Sequence, residues 1–211
     1  MLLFYQFRDN AQGFVTLQTG PFCNVHKGEM LMDKRTSENL RVKNQIATAY
    51  FSLLKQRNVV EAENISITAI VKKANVSRMA YYRNFSSKTE IVDFYLMDSL
   101  WMEFMQRLDG AQFGSLEYGI QLFELFKNRR DTLLMLDNYG YSGLILESFN
   151  LKNEELVGDM PRDSISRFNL YYAAGASFNG VMMWLKEGCR ESSSEMAHSF
   201  MQFVRFANEI C

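Results

Sequence analysis

Proline is almost absent from this chain, with only Pro21 and Pro161 in 211 residues. Helix interiors therefore lack their strongest breaker, and alternating Val, Ile and Thr stretches are few, so the composition favours helices over sheets. Cysteine occurs three times, as Cys23, Cys189 and Cys211, at wide spacings and with no Cys-x-x-Cys. That excludes a disulfide framework and a thiolate zinc site. Reduced thiols are the expectation, with a redox-sensing role for Cys189 beside Arg190 as the alternative. The two histidines, His26 and His198, lie far apart. No glycine-rich phosphate loop, metal-ligand cluster or Ser/His/Asp grouping is visible, so the chain is expected to be no enzyme and to hold no cofactor or metal. The first thirty residues have no basic stretch followed by a continuous apolar run, and they are too short and polar to cross a membrane. A cytoplasmic protein without membrane contact is expected.

What is present is an ordinary balance of 47% hydrophobic and 22% charged residues, with a heavy load of 17 Phe, 10 Tyr and 13 Met. The net charge of -1 conceals a division along the chain. Residues 32–90 hold 11 Lys plus Arg against 5 Asp plus Glu, a balance of +6, whereas residues 91–211 hold 10 against 17, a balance of -7. The first segment suits a polyanion and the second does not. Ahead of both, Lys27-Gly28-Glu29 can be encoded by a purine-rich ribosome-binding sequence just upstream of Met30 and Met32. Residues 1–35 are therefore expected to be an extension, with translation starting at Met32; a loosely packed arm is the alternative.

From Thr36 the pattern becomes helical. Thr36 or Ser37 can cap a first helix whose apolar positions are Leu40, Ala47, Tyr50, Phe51 and Leu54, ending near Arg57-Asn58. Ser66 can cap a second, with Ile67, Ile70, Val71 and Ala74 at i, i+3, i+4 and i+7. Asn75 tolerates the left-handed conformation of a tight turn, and Ser77 can cap a third helix almost at once. In that helix Val76, Ala80 and Phe85 can point inward while Arg78, Met79 and Tyr82 face away. A short exposed helix tipped with Arg, backed by Tyr and flanked by Lys72, Lys73, Arg83 and Lys88 suits the major groove of B-DNA. Ser87 and Glu90 are expected to form a capping box for a fourth helix, which sets Lys88 beside free backbone N–H groups. Lys72 and Lys73 fit a solvated face and DNA proximity equally, and Tyr81 is open to burial or base contact.

The stretch ITAIVKKANVSRMAYYRNFSSKTEI, from Ile67 through Ile91, resembles the helix-turn-helix signature of the TetR/AcrR family of bacterial regulators. The resemblance includes the Val76-Ser77 start of the recognition helix, Tyr82, Phe85 and the Ser87-Lys88 pair. Asn75 stands where the family usually has Gly, and Asn84 where it often has His or Tyr. The resemblance implies that Thr68, Tyr82, Asn84 and Lys88 position phosphates, whereas Ser77, Arg78 and Met79 read bases. Arg78 could bond a guanine bidentately, which discriminates by about 1–3 kcal/mol, and Met79 could pack on a thymine methyl.

Beyond Ile91 the fourth helix is expected to continue through Trp101, Met105 and Leu108 to Asp109-Gly110. Further helices are expected at about 115–128, 131–137, 139–150 and 162–186, with a loop around Gly158 and Pro161 and a last helix opened by Ser192-x-x-Glu195. The fold class is all-α: a three-helix DNA-binding domain over 36–90, then a larger helical bundle over 91–211. Phe178, Met182, Trp184, Phe200 and Phe203 carry more apolar surface than a terminal helical pair needs and suggest a dimer interface. The small residues from Ala173 to Gly180 suit close helix approach either between subunits or within one. Trp101, Phe104, Met105, Phe123, Tyr139, Phe168, Tyr171 and Tyr172 could line a pocket for a small, partly apolar effector. The family resemblance implies a homodimer on a palindromic double-stranded DNA operator, acting as a ligand-responsive repressor. An interaction protein that keeps the fold but works as a co-activator through a protein partner is the alternative.

Overall fold

The computed structural model describes residues 34–57, 64–108, 111, 115–157 and 165–210. The expected Met32 start, almost all of the 1–35 extension, and the loop holding Gly158 and Pro161 lie outside these residues. Every described element is helical and there is no strand among them, so the chain is all-α.

Helix α1 (Lys34–Leu54) begins ahead of Thr36 and Ser37. Both expected caps therefore fall inside it, because Lys34 and Arg35 are themselves good helix formers. Its buried stripe is Ile46, Ala47, Tyr50, Phe51 and Leu54, while Leu40 at compatible spacing is exposed. Helix α2 (Ile67–Ala74) starts where the Ser66 hydroxyl accepts from the Ala69 N–H at 3.1 Å. It ends at Asn75, which is left-handed at φ 55°. There the Asn75 N–H reaches the Lys72 carbonyl and the Val76 N–H reaches that of Val71, a paired bonding that satisfies two orphan carbonyls.

Helix α3 (Arg78–Asn84) follows after three residues, with Ser77 accepting from the Ala80 N–H at 3.0 Å. Helix α4 (Lys88–Phe94) leads without a break into a π-helical segment, Tyr95–Leu100, and then α5 (Trp101–Arg107). The expected long fourth helix is thus present, but with a wider middle that nothing in its apolar spacing announces. Helices α6 (Leu116–Asn128), α7 (Arg130–Asn138), α8 (Ser142–Val157), α9 (Ile165–Lys186) and α10 (Ser193–Ile210) complete the fold. Helix α8 starts three residues later than expected from the sequence and runs past Asn150. Tyr139, Gly140 and Tyr141 form a turn before it, where Gly140 takes φ +82°, a backbone region that favours glycine.

Two compact units emerge, and each is interleaved in sequence. The first gathers α1–α4, the π segment and residues 131–148. In it α1 packs on α2, α3 and α4. The second gathers residues 103–130 with 149–210. Its core is aromatic: Phe123 meets Trp184 edge-on at 5.5 Å between ring centres, Phe126 stacks on Phe149 at 5.3 Å, and Phe104 meets Tyr118 at 4.9 Å. Helices α6 and α10 come together where Gly119 faces Ala197, so closely that a Cβ on Gly119 would lie 3.2 Å from that of Ala197. A reciprocal capping box opens α10, with the Glu195 N–H donating to the Ser192 hydroxyl and the Ser192 N–H to the Glu195 carboxylate.

Candidate nucleic-acid interface

Helix α3 has one inward anchor and an outward face. Tyr81 is fully buried, edge-on to Tyr82 at 5.5 Å and tilted against Phe85 at 6.3 Å. Burial pushes its phenol above the ordinary tyrosine value, with the neighbouring Tyr82 adding to the effect. Of the two orientations the sequence left open for Tyr81, the fold takes the core. Phe85 is buried beside it, and Val76 and Ala80 are half-buried. On the opposite side Arg78 and Arg83 are exposed, Met79 is 69% exposed and Tyr82 59%. A thioether and a phenol thus stand in water on the outward side of this short helix.

The surrounding polar groups are held in place. Arg78 donates through Nη2 to the hydroxyl of Thr68, also exposed, joining the recognition helix to the first turn of α2. Lys88 is half-buried, and its ammonium lies 3.5 Å from the Ile65 carbonyl at the entrance to α2. The Ser77 hydroxyl is occupied as the cap of α3. Asn84 turns its amide N–H back to the Ala80 carbonyl at 2.8 Å, which leaves its oxygen as the group available outward.

The capping box expected for α4 is only half formed. The Ser87 hydroxyl accepts from the Glu90 N–H at 3.1 Å, but the Glu90 carboxylate takes the N–H and hydroxyl of Ser86 instead of the Ser87 N–H. Two donors on Ser86 outcompete one on Ser87, and they hold the Glu90 carboxyl below the ordinary carboxylate value. Lys43 on α1 went unremarked in the sequence. Its ammonium lies 5.9 Å and 5.2 Å from the ring centres of Phe85 and Phe94, a pair of cation–π contacts. Only a tertiary fold brings those three residues together, so no local signal could have shown it. An open groove of about 520 Å³ runs between α1 and α2 past Arg41, Asn44, Gln45, Thr48 and Lys73.

The eight aromatic and Met side chains expected around an effector are distributed over both units. Phe104 and Phe123 are buried in ring contacts, Trp101 is buried, and Met105 is half-buried. The Tyr139 hydroxyl lies 2.7 Å from the Leu54 carbonyl and 2.5 Å from that of Arg57, its single proton shared between them. Phe168, Tyr171 and Tyr172 are exposed on α9, Tyr172 by 72%. Of the residues expected to pair subunits, Met182 and Trp184 are buried in their own unit, and the Trp184 indole N–H donates to the Glu191 carbonyl at 3.2 Å. Phe178 and Phe200 are half-buried, and Phe203 is exposed.

Fold and surface together define an all-helical protein with a helix-turn-helix whose second helix stands clear of its own core. No family model and no curated protein sequence matches the chain. Among solved structures it is similar to a crystal structure described as a TetR transcriptional regulator from Streptococcus agalactiae 2603V. The likeness has a TM-score of 0.54 at 18% identity, over 81% of this chain and 97% of the other. The chain thus shares the fold of that protein. Among the described residues, no helix is long and apolar enough to cross a membrane.

Proposed function

We propose that the chain is a dimeric, ligand-responsive DNA-binding transcription regulator, acting as a repressor on a palindromic operator. The observation that carries this reading is the outward face of α3, where Arg78, Met79 and Tyr82 are exposed while Tyr81 anchors the helix from behind. A helix so mounted fits a major groove. Ser77, Arg78 and Met79 would meet base edges, and Thr68, Tyr82, Asn84 and Lys88 would meet phosphates. The positive balance of 32–90 supports the assignment of DNA contact to 36–90, and the acidic remainder supports sensing and pairing by 91–211.

Pairing is best supplied by the outer side of α9. Phe168, Tyr172 and Met183 are exposed along it, with Gly175 and Gly180 between them, at each of which an added Cβ would meet nothing within 4 Å. Phe203 on α10 is exposed as well. A palindromic operator calls for two α3 helices at half-sites one DNA turn apart, about 34–36 Å, and a two-fold pairing matches that symmetry. The test is a binding titration against duplexes selected from a random-sequence pool. Sequence-selective binding by a dimer supports the reading, and absence of selectivity at low salt overturns it.

A further inference from the structure

Tyrosine hydroxyls tie the turn between α7 and α8 to the end of α1. Helix α1 finishes at Leu54, and the carbonyls of Phe51, Leu53 and Leu54 accept from the N–H groups of Lys55, Gln56 and Arg57 in the turn that follows. The hydroxyl of Tyr139 lies 2.7 Å from the Leu54 carbonyl and 2.5 Å from that of Arg57, and so caps the helix from more than eighty residues away in sequence. One turn back, the hydroxyl of Tyr50, 1% exposed as a residue, meets the hydroxyl of Tyr141 at 2.9 Å. Burial pushes the Tyr50 phenol far above the ordinary value, and the Tyr141 bond adds to this. Tyr50 therefore keeps its proton, and one hydroxyl of the pair donates to the other.

The place of this contact gives it reach. Helix α1 packs on α2, α3 and α4 alike, so its position sets that of the recognition helix. On the other side, Tyr141 is the residue whose carbonyl accepts the Ile145 N–H at the start of α8. Eight residues further along the same helix Phe149 is packed on Phe126 and Phe178 in the aromatic core of the second unit.

We propose that Tyr139 and Tyr141 are positioning residues, a latch that fixes the C-terminal end of α1, and through it α2 and α3, to the start of α8. Loss of either hydroxyl bond then loosens the DNA-reading face without any direct contact to it. This rests on the regulator reading for its biological use, but the mechanical link can be measured without DNA.

The test is hydrogen–deuterium exchange on the full chain, comparing wild type with Tyr139→Phe, Tyr141→Phe and the double variant Tyr50→Phe/Tyr141→Phe. Losing one hydrogen bond should speed exchange at residues 51–57 and across α2 and α3 by about fivefold, with α6, α9 and α10 unchanged. The double variant removes the orphaned Tyr50 hydroxyl as well. It should regain the melting temperature lost in Tyr141→Phe yet keep the fast exchange in α2 and α3. Uniform acceleration over both units, acceleration confined to 51–57, or return of wild-type exchange in the double variant would each overturn the latch. If the wild-type chain selects no duplex from the random pool, the regulator reading fails on its own and the exchange result still decides the latch.

Discussion

Asn75 holds the tightest point of the helix-turn-helix at φ 55°, a conformation that costs most side chains about 1–2 kcal/mol and glycine nothing. Asn75→Ala should lower stability by about 1 kcal/mol in urea unfolding, and Asn75→Gly should match or exceed the native midpoint. The same urea series on a control at Lys73 separates backbone strain from helix propensity. Under the proposed function, Arg78→Ala should erase preference at one or two base positions. Lys88→Ala should weaken all sequences and lower the salt slope by about one, and identical behaviour of the two variants would contradict the division of labour. Asn75, Ser66, Ser77 and Ser192 were legible in the sequence because each acts on a backbone group a few residues away. Lys43 and Tyr139 were not, since their partners Phe85, Phe94, Leu54 and Arg57 become neighbours only on folding.

At the scale of elements, helices α2 and α3 follow directly from apolar spacing and caps and α1 from the spacing of Ala47, Tyr50, Phe51 and Leu54 alone, and the expected orientation of α3 agrees with the burial of Phe85 and the exposure of Arg78. Helices α8 and α9 are harder to read, because polar and apolar residues alternate around their whole circumference. Phe168, Tyr171 and Tyr172 could be read as pocket lining, and Met182 and Trp184 as a pairing face, because the sequence gives residue type without rotation about the helix axis. Two glycines now separate inner from outer contacts. Gly119→Val would drive its side chain into Ala197 between α6 and α10, and should cost about 1–3 kcal/mol by thermal unfolding. Gly180→Arg has open space and should leave the fold intact. Under the proposed pairing it should convert a dimer to a monomer in sedimentation velocity, and a dimer that persisted would place the interface elsewhere.

For the molecule as a whole, the charge division follows the chain in order, yet compactness does not. Residues 131–148 pack with the helix-turn-helix helices, an arrangement that linear composition cannot convey because it depends on long-range hydroxyl bonds and side-chain packing. The second unit has its own electrostatic clasp. Burial would raise the Glu103 carboxyl, but hydrogen bonds from Arg129 and Arg107 outweigh that and hold it below its ordinary 4.5. A carboxylate whose folded value is depressed adds stability that is complete above its unfolded value and disappears as pH falls through the folded one. Acid unfolding should therefore steepen below pH 4.5, and Glu103→Gln should flatten that limb while lowering stability at neutral pH.

The π-helical stretch from Tyr95 to Leu100 sits in the middle of an otherwise regular rod. Such a stretch accommodates one residue more than an α-helix of equal length, so the rod can lose a residue there and close into ordinary geometry with both ends still in phase. Deletion of Met97 should give a folded chain with near-native melting, whereas deletion of Thr89, about two turns earlier, would rotate all that follows by about 100° and unfold it. Spare length of this kind makes the segment the one place in the rod where the gene could gain or shed a codon without scrambling what lies downstream.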